Sequence, residues 1–415
     1  ISQLAEKIEN GIDKNNSEDY KDLNEQYKKI FEKNMIIPNK IEENIGSNML
    51  LTGGTGFLGI HILDEFLKKE KNKVYVLVRK EPGLTVKEKL LNKLHYYFGE
   101  KHDKDIDNRI IIIQGEISKD GFGLKQEELF QLGNSIDIIV NSAAKVSHYG
   151  DYKEFYNTNV KSVEKIIDFA KAFDKKVFHI STLSVSGNAL VDQYYMEQKF
   201  DKDINFYEDC FFIGQNLENV YIRSKFEAER KILDAILNGV DAYILRVGNL
   251  MPRLLDGKFQ ENIDENAYIS RLKTFVKIGC IPEYLKDGYL EFTPIDSTAQ
   301  AINKIIKYTQ KENRIYHIFN HNHVYIEQIL KNIKEIDIID NAQFKQKIKK
   351  ILKSSDSNIL NTLLNDLDKD LNLNYNSNIK LKSDHSIKLL ELYGFEWPKI
   401  GQNYINYILK LIKGE

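Results

Sequence analysis

Cysteine is nearly absent: the 415 residues contain two, Cys210 and Cys280. Two thiols exclude a disulfide framework and a cysteine-rich zinc site. Proline is scarce, at six residues, which excludes a Pro-rich or collagen-like chain. An excess of charge of one sign is also missing, since 59 Lys and Arg against 61 Asp and Glu leave a formal charge of −2. That balance argues against nucleic-acid binding by phosphate neutralisation. No apolar run approaches the ~18 residues of a membrane span, and RIIIIQ and IDIIV are strand-sized. No secretory leader pattern is present, so the reading is a soluble cytoplasmic protein with no membrane role. Hydrophobic residues make up 42% of the chain, enough for a sizeable core, which excludes overall disorder. The chain begins at Ile1 rather than Met and reads as a piece of something longer.

What is present is an alternation. After a polar lead-in over 1–45, with helical patterns at ISQLAEKIEN and about 17–34, short apolar runs exchange with amphipathic stretches. Strands are expected at 48–52, 74–78, 109–113, 137–141, 176–180 and 242–246. Helices are expected at 57–69, 86–98, 125–132, 152–173 and 221–238. Near-continuous apolar strands between helices mean a parallel sheet covered on both faces, the α/β doubly wound, Rossmann-type architecture. A helix over 294–308 and a late strand at 314–320 return to it. The division expected is a lead-in over 1–45, a dinucleotide-binding domain over 46–250 rejoined by 290–320, and a mostly helical substrate subdomain from 251–290 and 321–415.

The first strand runs into Thr52-Gly53-Gly54-Thr55-Gly56-Phe57-Leu58-Gly59, with glycines at G-x-x-G-x-x-G spacing. Such a loop turns tightly, lets backbone N–H groups approach a pyrophosphate, and packs the following helix on the sheet. The strand–loop–helix context is the one the motif requires. No Gly-Lys-Ser/Thr follows, so a kinase-type phosphate loop is disfavoured. Arg79, with Lys80 beside it, ends the second strand where an acidic residue would select NAD; a cation there suits a 2′-phosphate and hence NADPH. Lys89 on the next helix is a further candidate cation for that phosphate.

Tyr221 and Lys225 stand four apart at the start of a helix, on one face. The ammonium is expected to lower the phenol pKa and hold the nicotinamide ribose, while the phenol donates a proton to a carbonyl oxygen receiving hydride. Among the hydroxyls ending the fifth strand, Thr182 is chosen over Ser181 and Ser184 to polarise that carbonyl. Asn141, Ser142, Ala143 and Ala144 end the fourth strand, and the small ones leave room for the cofactor. Asn159 is placed to tie neighbouring backbone and line the proton path. His317, His321 and His323 cluster without the carboxylate or Cys pattern of a metal site. Asp296 is read as a helix cap.

These pieces resemble the extended short-chain dehydrogenase/reductase superfamily. The nearest branch is the terminal thioester reductase domains of nonribosomal peptide synthetases, relatives of the carboxylic acid reductases. The resemblance rests on TGGTGFLG, VLVRK, NSAAKVSHYGDYKEFYNTNV, HISTLSV, YIRSKFEAE, RVGNLMPRLLDGKFQENIDENAY, FTPID and GFEWP. It implies Thr182, Tyr221 and Lys225 as the catalytic triad and places Val247, Gly248 and Asn249 beside the nicotinamide. It also implies NADPH-dependent release of a carrier-bound peptidyl thioester as an aldehyde, which then forms an imine or is reduced to an alcohol, as in an aureusimine-type synthetase. The partner implied is an upstream peptidyl carrier domain with a phosphopantetheine-tethered peptide, and ISQLAEKIEN resembles that carrier's last helix. The stretch between Ser186 and Tyr221 either gates the substrate or packs on the sheet. Competing readings are an acyl-CoA reductase, a nucleotide-sugar epimerase or dehydratase of the same fold, a cyclising release domain, and a non-catalytic nucleotide sensor. The retained Tyr221 and Lys225 argue against the last two.

Overall fold

The computed structural model describes residues 20, 22–43, 46–147, 150–187, 190, 204–263, 266–286, 288–330, 332–333, 336–354, 357–360, 363, 367, 370–371, 373 and 379–414. Its centre is a seven-stranded parallel sheet. The strands are β1 (Met49–Thr52), β2 (Val74–Val78), β3 (Ile110–Gln114), β4 (Ile138–Asn141), β5 (Lys176–Thr182), β6 (Ala242–Val247) and β7 (Ile315–Ile318). Their spatial order is β3-β2-β1-β4-β5-β6-β7, so the winding reverses between β1 and β4. In such sheets the ligand crevice opens at the carboxyl edge of that switch point. The register there sets Thr52 beside Asn141, and Thr182 beside Val247.

Alternation along each strand sorts side chains to two faces. Met49 and Leu51 join the cluster under helices α2 (Phe57–Lys69), α3 (Val86–Phe98) and α8 (Ile295–Tyr308). Leu50 joins the opposite cluster with α1 (Leu23–Asn34), α4 (Gln126–Ser135), α5 (Ser162–Phe173) and α6 (Val220–Leu237). A third cluster is drawn from residues between Met251 and Ile412, including α7 (Ala267–Ile278), α9 (Asn341–Leu352) and α11 (Gln402–Lys413). Helix α10 (Asp384–Leu392) returns Leu389 and Leu390 to the α2 and α8 face. The helix expected over 152–173 forms as one run, with a six-residue π-helical segment, Tyr156–Lys161, between α-helical ends.

The helical pattern expected at about 17–34 forms as α1. Tyr27 is fully buried in α1 and its hydroxyl donates to Asp234 of α6 at 2.7 Å, while the Tyr20 hydroxyl donates to Glu227. Asn34 then pairs the open edge of the sheet: its Oδ1 accepts from Arg314 N and Ile315 N, and its Nδ2 donates to Ile315 O. An edge strand exposes unpaired backbone groups; Asn34 pairs those at the start of β7, and Ser386 Oγ accepts from His317 N further along at 2.8 Å. Periodicity shows such a helix as amphipathic but not what it docks on. ISQLAEKIEN lies outside the described residues. The stretch after Ser186 is described from Ile204 onward apart from Leu190, and that part packs. Ile204–Phe206 pairs in parallel with Ile379–Leu381, and Phe211 and Phe212 are buried against α1 and α6.

Candidate active site

The phosphate loop is built as its glycines require. Gly53 has φ +68°, and a Cβ there would stand 2.6 Å from Ala143 N and Ser142 C. The loop therefore lies directly on the end of β4, and Ser142, Ala143 and Ala144 are half-buried beside it. At Gly59 a Cβ would stand 2.2 Å from Gly53 O. Helix α2 starts at Gly56 with no side-chain cap. Its first-turn N–H groups thus have no side-chain acceptor, and the dipole end and close backbone suit a pyrophosphate. Thr52 is buried and donates to Asn141 Oδ1 at 2.7 Å. Arg79 is exposed at the end of β2, on the same edge of the sheet.

Lys89 is paired within the protein: its Nζ pairs with Glu81 Oε1 at 2.5 Å and donates to Arg79 O at 3.3 Å, which holds its charge beside the Arg79 turn.

Helix α6 begins at Asn219, whose Oδ1 caps Tyr221 N and Ile222 N. That cap fixes Tyr221 in the first turn, and Lys225 follows one turn on. The Tyr221 phenol hydrogen-bonds the Thr182 hydroxyl. Thr182 in turn caps the short turn Leu183–Ser186, accepting from Ser184 N at 3.1 Å. Ser184 is exposed, and Ser181 Oγ is buried without a hydrogen-bond partner. Thr182 is thus the hydroxyl of the three that meets the phenol.

The electrostatics differ from the expected ones. Burial pushes the Tyr221 phenol up to about 12, and the Thr182 hydrogen bond lowers it only in part. Lys225 turns its ammonium into β5, donating to Ile180 O at 2.6 Å and lying 3.2 Å from His179 Nε2. Burial brings its pKa down to about 8, against the pull of Glu229. So the phenol stays protonated at neutral pH, and Lys225 is directed at the strand rather than at the phenol.

Asn159 sits in the π-helical segment. Its Oδ1 accepts from Lys145 N, and its amide hydrogens go to Lys145 O and Ser224 Oγ. It ties backbone as expected, but both amide hydrogens are used within the protein, so no cofactor contact from them remains. Val247 is buried beside Thr182. Asn249 directs its backbone N–H and its amide to the Glu291 carboxylate, at 3.0 and 2.8 Å, rather than to the crevice. Asp296 lies inside α8; its carboxylate accepts from Leu254 N, Leu255 N and Ser297 N, clamping a loop as well as the first turn. His317 is buried between Arg246 and Lys382 O, at 3.2 and 2.6 Å.

Sequence reasoning missed two polar residues here, His179 and Glu229. The signal for His179 was a single imidazole among the apolar residues Val177, Phe178 and Ile180 of β5. Glu229 stands one turn after Lys225 and binds the buried Arg246 guanidinium through both oxygens.

The family model described as male sterility protein, an NAD-binding domain, matches residues 51–302. A thiolation-reductase di-domain from an archaeal nonribosomal peptide synthetase superposes with a TM-score of 0.76 at 29% identity, covering 95% of this chain and 96% of that one. The reductase domain of the aureusimine biosynthetic cluster gives 0.76 at 24% identity, over 95% and 98%. L-2-aminoadipate reductase of Saccharomyces cerevisiae is 28% identical over 327 residues, 76% of this chain and 23% of that protein. The chain spans 8% to 26% of the length of the curated relatives it matches. With its phosphate loop, its switch point and its Tyr–Lys helix, the chain belongs to the male sterility protein family of NAD-binding domains and is an oxidoreductase with the extended short-chain dehydrogenase/reductase fold of nonribosomal peptide synthetase terminal reductase domains.

Proposed function

We propose that this chain reduces a carrier-bound acyl or peptidyl thioester with NADPH and releases an aldehyde. The observation that carries the reading is the Tyr221–Thr182 hydrogen bond at the carboxyl end of β5, one helical turn from Lys225 and on the same edge of the sheet as the uncapped α2 terminus. A nicotinamide bound in this crevice supplies hydride to the thioester carbonyl carbon. The chain's own residues handle the oxygen. Thr182 and Tyr221 present two hydroxyls to it, and Tyr221, protonated at neutral pH, gives up its proton as negative charge gathers there. The resulting thiohemiacetal breaks its C–S bond, giving the aldehyde and the free carrier thiol. Arg79 is the residue proposed to select the 2′-phosphate, and Gly53, Gly56 and Gly59 to hold the pyrophosphate. The partner is an upstream carrier domain with its phosphopantetheine arm, and the location is the cytoplasm. Among the described residues no helix is long and apolar enough to cross a membrane.

The test is cofactor consumption with an acyl-S-pantetheine thioester, NADPH and NADH in parallel, with products identified by mass. NADPH-dependent loss of thioester with a new aldehyde supports the reading. Tight NADPH binding without oxidation against any thioester overturns it.

A further inference from the structure

Behind the Tyr221–Thr182 pair runs a buried polar chain that crosses three strands. Thr52 Oγ1 meets Asn141 Oδ1 at 2.7 Å, Asn141 Nδ2 meets His179 Nδ1 at 3.1 Å, and His179 Nε2 meets Lys225 Nζ at 3.2 Å. Each of the four residues is at most 2% exposed. The chain starts at the phosphate loop and ends on the lysine one turn from Tyr221. Its one aromatic member lies in the middle of β5, where packing alone would favour another apolar residue.

An imidazole between an amide and an amine has two self-consistent states. With the Asn141 amide nitrogen toward Nδ1, the ring accepts there, and its Nε2–H faces Lys225 as the neutral amine. The amide stands in that first orientation here, and half a turn of it reverses both ends: Nδ1–H donates to the amide oxygen, and the Nε2 lone pair accepts from the ammonium. The Thr52 hydroxyl, donor and acceptor at once, serves either orientation. Burial and the Lys225 charge keep the ring neutral well below the usual histidine range, so it acts as a polar switch and not as a competing cation. The other groups around Lys225 are the Ile180 carbonyl from β5, Tyr221 and Glu229 from its own helix, and Arg246 of β6 acting through Glu229.

We propose that His179 is the positioning residue for Lys225: its Nε2 accepts from the ammonium, holds it against β5, and so sustains the charged lysine through the working pH range. The proposal rests on the reductase reading for its kinetic test and on the apo protein alone for its spectroscopic one.

Removing an acceptor from an ammonium disfavours the charged form. A hydrogen bond to a charged group corresponds to about one to two pH units of pKa. His179→Leu is therefore expected to move the basic limb of the kcat/KM profile, read with acyl-S-pantetheine and NADPH, down by about one to two pH units. His179→Gln, which returns an amide oxygen near Nε2, restores the limb. A merely structural role would lower the melting temperature of both variants and leave the limb where it was, and that result overturns the proposal. The second measurement needs no turnover and covers a Leu variant that does not fold. In wild-type protein labelled with 15N-histidine, one neutral ring is expected to exchange its protonated nitrogen as the pH rises through about 8. The same signal is expected to stay fixed in Lys225→Met. A His179 ring that does not respond across that range overturns the proposal, whatever the enzyme's substrate proves to be.

Discussion

Gly59→Ala isolates the contact on which nucleotide binding depends. The new methyl would meet Gly53 O at 2.2 Å, Gly53 C at 2.8 Å and Gly54 Cα at 3.0 Å. All three are backbone atoms, so no rotamer change relieves the clash, and α2 must retreat from the loop by about an ångström. Overpacking of this kind costs about 1–3 kcal/mol of stability. The functional loss is larger. The first-turn N–H groups of α2 would be displaced from a pyrophosphate by a similar distance, and a charge-assisted hydrogen bond loses most of its strength over that stretch. Two such bonds at about 1.5–3 kcal/mol each correspond to at least a hundredfold weaker NADPH binding. The assay is NADPH fluorescence titration beside thermal unfolding. Gly401→Ala serves as the control, because nothing lies within 4 Å of its new Cβ. A Gly59→Ala protein with native melting temperature and native NADPH affinity would refute the loop's assigned role.

Other predictions concern the triad, the cofactor phosphate, the buried pair and acid stability. Tyr221→Phe should keep NADPH affinity within a few-fold and lower kcat by about 10²–10⁴-fold, measured by steady-state oxidation. Arg79→Ala should weaken NADPH much more than NADH in parallel titrations, whereas Lys89→Ala should discriminate little, its charge being held by Glu81. Glu229→Gln leaves Arg246 buried without its counter-ion, and both side chains are fully buried. The expected loss is about 3–5 kcal/mol in urea unfolding. Acid should destabilise the fold early. Burial lowers His61 and His385 to about 4 and His179 and His317 well below the usual range. Below pH ~6.5 the unfolded chain binds protons that the folded one refuses, so stability falls with pH by up to about 1.4 kcal/mol per pH unit for each such histidine. A melting temperature that is flat from pH 7 to 5 would contradict this.

Much of the fold was legible because its signals are local. Strands such as Val74–Val78 and helices such as Phe57–Lys69 and Val86–Phe98 sit where the apolar periodicity places them. Tyr221 and Lys225 were legible from spacing, and Thr182 from its place at a strand end. What escaped depends on contacts distant in sequence. Lys89 is turned by Glu81 and Asn249 by Glu291. A polar side chain's partner cannot be read from its own neighbourhood. For the same reason the helical pattern at 17–34 shows the helix but not that Asn34 pairs the edge of β7, 281 residues away. The phenol's high pKa reflects burial, which residue spacing does not report.

The central claim is that these residues add hydride, and not water or a carbanion, to a thioester carbonyl. The most direct measurement uses NADPH deuterated at the nicotinamide C4, an acyl-S-pantetheine thioester, and mass analysis of the released product. The account predicts one deuterium on the former carbonyl carbon of an aldehyde, or two on that of an alcohol, and labelled product formed about 10²–10⁴-fold more slowly with Tyr221→Phe. Loss of thioester with no deuterium in the product would contradict it.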